Sequence, residues 1–179
     1  MTHQRHVQLQ RACIHNLKNI GLAFRISSTD SSDDFPFHHS IADGGTRELT
    51  NAWQQFLAMS NELSKPDILV CRTSGKYPAD NWQSFSDRNV SYFVGISAAE
   101  TSPQSFLTGD TGFFIDGQPP QSNPVLLFTN AHISYPKSVH RATPNICMGD
   151  GSVQKLSPDP LKEALRNSGL GTNVLLLPR

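Results

Sequence analysis

His140, Asp150 and a serine, either Ser91 or Ser152, are the residue types of a nucleophilic triad. In such a triad a hydroxyl attacks, an imidazole takes its proton and a carboxylate orients the ring. Asp110 with Asp150 would instead make a carboxylate pair for general acid–base work. The chain supplies no frame for either: it has no Gly-x-Ser-x-Gly elbow, no glycine-rich phosphate loop and no His-Glu-x-x-His run. It is therefore not read as an enzyme, and a hydrolase using His140 and Asp150 is the less favoured alternative. Calcium is a weaker candidate chemistry, with Asp110, Asp116 and Asp150, and beyond them Asp159, as acidic residues near turns. Calcium takes six to eight oxygen ligands as a rule, and no Asp-x-Asp or Asp-x-Asn series gathers these four. No other cofactor is expected.

Cys13, Cys71 and Cys147 are the remaining reactive side chains. None lies at zinc-ligand spacing from another cysteine or histidine, and His38 and His39 are adjacent, so metal capture through cysteine is not expected. An odd count allows at most one disulfide within the chain, for which Cys13 and Cys71 are the candidate pair.

The residues around His140 and Asp150-Gly151 read first as structure. Ile146, Cys147 and Met148 form an apolar strand that meets Asp150-Gly151 and resumes at Val153 and Leu156. An Asp-Gly step between two strands predicts a hairpin with a type I′ turn, and His140 braces the loop upstream of it. Further strands are expected at residues 68–71, 90–96 with a blurred alternation, 105–108, 113–115 and 125–129, and turns at Gly109-Asp110 and Asp116-Gly117. An apolar tail at residues 174–177 pairs with or covers the sheet.

Ahead of the strands lie helices. Residues 3–28 contain no proline, and Leu9, Cys13, Leu17, Ile20 and Phe24 fall at intervals that put them on one face. Residues 3–6 contain nothing apolar, so the second half of this helix is expected to pack and the first half to project. Residues 29–45 read as an irregular loop. A second helix follows, capped by Thr46 or a neighbour, with Leu49, Trp53, Phe56, Leu57 and Leu63 as its stripe and Trp53 and Phe56 as packing residues. Asp159 as cap, Pro160 at the first position and Gly169 just beyond frame a short helix at residues 161–168. Helices followed by consecutive short strands give an α+β class with an antiparallel sheet.

The chain of 179 residues suits one globular unit. Fifteen basic residues balance fifteen acidic ones, which removes the electrostatic footprint of a nucleic-acid binder. Charged residues make up 17%, below the roughly 25% of an average soluble domain, a composition that suits an extracytoplasmic protein. No run approaches the roughly 20 apolar residues of a membrane span, and no secretory signal peptide is visible.

Together these segments resemble the soluble domain of type II secretion pseudopilin-like (prepilin-type) proteins of the planctomycete and verrucomicrobial group. The likeness is carried by Arg11-Ala-Cys13-Ile-His-Asn16-Leu17-Lys18-Asn-Ile20-Gly21-Leu22-Ala23-Phe24, by residues 68–71, by Val90-Ser91-Tyr92 and Leu107-Thr-Gly109-Asp110, and by His140, nine residues, then Asp150-Gly151. It spans nearly the whole chain in order. After Cys71 the group often has Pro and an Asp, where this chain has Arg72-Thr73-Ser74. The resemblance implies a pilin-like fold, with residues 1–28 as the stem of the N-terminal helix and 29–179 as the globular domain. It also implies a basic leader, a cleavage site and a membrane-anchoring helix ahead of residue 1, which this sequence does not carry. The implied function is structural, as a subunit of a secretion pseudopilus anchored in the inner membrane with its domain in the periplasm. The implied partners are other pseudopilin subunits, inner-membrane components of the secretion system and secreted cargo, and calcium is bound by many major pseudopilins. A pilin-like module that binds cargo or a ligand is the alternative.

Overall fold

The computed structural model describes residues 3–29 and 34–179. Its longest element is helix α1, His3–Thr29. At about 1.5 Å per residue it is roughly 40 Å long. Leu17, Ile20 and Phe24 are fully buried on the predicted stripe, as is Cys13, while Leu9 is half-buried. Cover begins at Gln10, whose amide donates to Thr143 O at 3.2 Å, and Gln4, Arg5 and Gln8 before it are exposed. Residues 1–2 of the stem and residues 30–33 of the loop after it lie outside the described residues.

The second predicted helix is split into α2, Ala52–Ala58, and α3, Ser60–Leu63, because Met59 leaves helical geometry at φ −101° and ψ 26°. Thr46 is not its cap. Asn51 takes that place, and Thr46 instead pairs with the buried Gln55. Phe56 is buried and Trp53 half-buried, both as packing residues.

Strands β1 (Tyr92–Gly95), β2 (Phe106–Asp110), β4 (Val125–Phe128), β6 (Asn145–Met148), β7 (Val153–Lys155) and β8 (Thr172–Leu176) form one antiparallel sheet in the order β4-β8-β1-β2-β6-β7. A two-stranded ribbon, β3 (Phe114–Ile115) with β5 (Ile133–Ser134), and helix α4 (Pro158–Arg166) are the other strands and α-helix among the described residues. The predicted tail is thus strand β8, inserted between β4 and β1.

Both faces of the sheet are covered. On one, Tyr92, Val94, Leu107, Cys147 and Leu176 join the buried residues of α1 and α2. On the other, Phe93, Phe106, Ile146, Met148 and Leu175 join Leu161 and Leu165 of α4, Phe113 just before the ribbon and Ile133 within it. Central strands buried on two faces lose the apolar–polar alternation of a half-exposed strand, which explains the blurred pattern at residues 90–96. The edge strand β4 keeps it, with Val125 and Leu127 buried and Leu126 and Phe128 about half exposed.

Three local expectations are corrected. Residues 68–71 are not a strand: Pro66 opens a 3-10 turn, Pro66–Leu69, and Val70 and Cys71 follow as unpaired extended chain. Gly109-Asp110 is not a turn but the end of β2, with Gly109 opposite Phe93 and Asp110 opposite Tyr92. The Asp150-Gly151 hairpin is present, yet its turn is not type I′. Gly151 alone of residues 149–151 has positive φ, 81°. Gly151 N donates to Met148 O at 2.9 Å and Met148 N to Ser152 O at 2.8 Å, which is a three-residue loop closed by a left-handed glycine. The last helix also starts earlier than expected, with Ser157 rather than Asp159 as its cap.

α1 lies close against β6 because Gly21 faces it. A Cβ there would stand 2.5 Å from Cys147 Sγ. That approach places the middle of α1, including Cys13, over the ends of β1, β2 and β6.

Candidate functional site

Four buried side chains from four segments converge beside α1. Cys13 comes from the helix, Cys71 from the extended chain after Leu69, Asp110 from the last position of β2 and His140 from the turn before β6. Their exposures are 0%, 3%, 2% and 0%. The ligand atoms of Cys13, Cys71 and His140 all lie within 4.8 Å of one another. His140 Nε2 is 3.3 Å from Cys71 Sγ and 3.5 Å from Asp110 Oδ2.

Hydrogen bonds from neighbouring residues fix the segments that carry these side chains. Gln10 bonded to Thr143 O and Asn16 Nδ2 bonded to Val70 O at 3.4 Å bracket Cys13 and tie its helix to the other two segments. Asp110 Oδ2 accepts from Asn145 N at 2.8 Å and Asn145 Nδ2 at 3.0 Å, and Tyr135 donates to the Asp110 carbonyl at 2.8 Å. Cys71 Sγ lies 3.1 Å from Thr73 Oγ1.

His140 sits in an uncommon conformation. His140, Arg141 and Ala142 have φ of 45°, 58° and 64°, a left-handed turn of non-glycine residues. Each such residue costs about 1–2 kcal/mol, so the surrounding contacts must hold the turn that aims the imidazole inward.

The electrostatics follow from this crowding. Burial opposes a charge on His140, but its bonds to Asp110 and Cys71 outweigh burial and raise the imidazole to about 9. A hydrogen bond from Cys13, against burial and with help from His140, holds the Cys71 thiol below the usual thiol range. That same bond to Cys71, together with burial, pushes the Cys13 thiol up. Tyr92, buried against both sulfurs, is raised well above an ordinary phenol, mainly by burial. The other cysteine, Cys147, is also raised, to about 12, by burial and then by Asp150.

A cleft of about 200 Å³, lined by Cys71, Thr73, Ser74, Ser91, Asp110 and Thr111 among others, reaches the edge of this group. It lets a small species approach Cys71 and Asp110. The arrangement is not a cysteine–histidine–aspartate relay. In such a relay sulfur and carboxylate meet opposite ring nitrogens, and here both meet Nε2.

The residues anticipated from the sequence are distributed otherwise. His140 is in the cluster, but Asp150 is on the exposed hairpin loop, where its Oδ1 accepts from Ser152 N at 2.8 Å. Ser152 is exposed beside it, and Ser91 bonds Ser74 Oγ at 2.7 Å in the cleft wall. The acid beside His140 is Asp110. The calcium candidates are likewise dispersed: Asp110 is buried under Asn145, Asp116 is in the turn after β3, Asp150 is on the hairpin and Asp159 is in the first turn of α4. Cys13 and Cys71 are neighbours, as the candidate disulfide requires, but both are free thiols. Spacing did not announce this group, since Cys71 and His140 are 69 residues apart. The one available signal was that Cys13, Cys71, Asp110 and His140 each fall within one of the ordered segments of the resemblance.

Comparison with protein-family models, with curated proteins and with solved structures finds no match to this chain.

Proposed function

We propose that this chain is the globular part of a pilin-like subunit of a secretion pseudopilus, in which α1 continues toward the membrane. The observation that supports it best is the way α1 is seated. A helix of 27 residues lies across an antiparallel sheet, carries its fully buried face from Gln10 onward and ahead of it has Gln4, Arg5 and Gln8 exposed, with Val7 and Leu9 half-buried. A domain that used α1 only as a core helix would gain nothing from a run of exposed polar side chains at its start. A domain that hands its first helix to a fibre needs them as the stem. No described helix is long and apolar enough to cross a membrane, so on this reading the anchor precedes residue 1.

The reading frame upstream of Met1 tests this. It is expected to encode a short basic leader and roughly 20 apolar residues running in phase into α1. A frame that encodes neither would overturn the proposal.

The cargo-binding alternative is favoured by one feature. Leu126 and Phe128 are exposed on β4, at the sheet edge opposite β7, which α1 touches. Exposed apolar side chains away from the stem are what a module that captures other proteins would present.

A further inference from the structure

We propose that Cys13, Cys71 and His140 form a three-ligand binding site for zinc or a similar soft divalent ion, with the buried Asp110 carboxylate beside it and the fourth position left to water. The reading is independent of the pilus proposal and adds a ligand to a chain for which the sequence suggested none beyond calcium.

The distances carry it first. Tetrahedral zinc with sulfur at about 2.3 Å and nitrogen or oxygen at about 2.0–2.2 Å has ligand–ligand edges of about 3.3–3.8 Å. Cys71 Sγ to His140 Nε2 is 3.3 Å, and Cys13 completes a set of three ligand atoms that lie within 4.8 Å of one another, with Asp110 Oδ2 beside it at 3.5 Å from His140 Nε2. Two thiolates and an imidazole select zinc over calcium or magnesium, which favour all-oxygen shells.

The surroundings carry it second. The group is buried to within 3% of fully, and a buried carboxylate with two thiols draws a cation. The two Asn145 bonds to Asp110 and the Thr73 hydroxyl at Cys71 are contacts of the kind that orient metal ligands. The cleft reaching Cys71 and Asp110 gives an ion a way in. A disulfide between Cys13 and Cys71 is the rival use of the same sulfurs. It would need neither an imidazole nor a carboxylate aimed at the same point, nor a left-handed turn to present the imidazole.

Such an ion would cross-link α1, the segment after Leu69 and the turn before β6. The chain should therefore lose stability to chelators.

The test is the metal content of the intact chain purified under reducing conditions, followed by chelation and titration with cobalt(II). The expected results are stoichiometric zinc in the purified protein and, with cobalt, strong visible bands of a tetrahedral site plus thiolate charge transfer. Cys71→Ser and His140→Gln should each weaken cobalt binding by at least about 10-fold. Because either variant could fail to fold, the decisive arm is the wild-type chain. A folded wild-type protein that holds no zinc and shows no tetrahedral cobalt spectrum overturns the proposal. So does a Cys13–Cys71 disulfide found by mass spectrometry in protein purified without reductant.

Discussion

Phe24→Ala is expected to destabilise the chain by about 3–5 kcal/mol, which for a domain of this size lowers the melting temperature by roughly 6 to 20 °C. Phe24 is fully buried, and its ring meets Phe35, Phe37 and Phe56 at centroid distances of 6.0, 5.9 and 6.2 Å. These partners come from the start of the 3-10 turn at Pro36–His38 and from α2, so the cluster joins α1 to the segments that follow it. Truncation leaves a cavity that three rigid rings close poorly, which puts the cost near the upper end of the range for lost aromatic side chains. Leu22→Ala is the control two positions away. Leu22 is 55% exposed, and its removal should cost well under about 1 kcal/mol. Thermal denaturation of the two variants side by side checks the contrast, and similar melting points would mean that α1 is not seated on this cluster.

His140→Ala is the second large effect. It removes the partner of the buried Asp110 carboxylate and of Cys71 Sγ, and losing one member of a buried charged pair costs about 3–5 kcal/mol. The measurement belongs in chelator-containing buffer, so that it reports the protein's own contacts rather than loss of an ion. His140→Asn should lose less, because asparagine tolerates the left-handed geometry at φ 45° and can still bond Asp110. A melting temperature unchanged in His140→Ala would remove the bracing role of the imidazole.

The elements that were legible in the sequence are those whose signals are local. The helix over residues 3–28, the β6–β7 hairpin and the α4 region each declare themselves through periodicity, turn residues or a proline near the start. Two of the misreadings share one cause, tertiary context. Residues 68–71 have strand composition, but Pro66 starts a 3-10 turn and the following chain is held by Asn16 of α1 and by Ser91 N bonding Leu69 O at 2.9 Å, not by a sheet neighbour. Gly109-Asp110 has turn composition, but Asn145 bonds the Asp110 carboxylate and keeps both residues in the sheet. Asp150-Gly151 was recognised as a turn and assigned the wrong type, because dipeptide identity does not distinguish a two-residue loop from a three-residue loop with Gly149 included.

The site was the least legible part. Its residues were singled out for other roles: Cys13 and Cys71 as a candidate disulfide, Asp110 as a turn residue, calcium candidate or partner of Asp150, and His140 as a loop brace or a triad member with Asp150. Only α1 lying across the sheet near the ends of β2 and β6 brings them together, and sequence spacing holds no trace of that crossing.

The most direct test of the central claim is the fate of the complete gene product. Produced with a prepilin peptidase and its assembly platform, it should be cleaved at its N-terminus and recovered, by antibody to this domain, in sheared fibres that pellet on centrifugation. A product that stays uncleaved, or that is cleaved yet absent from any fibre while the domain remains folded, would contradict the pilin-like reading.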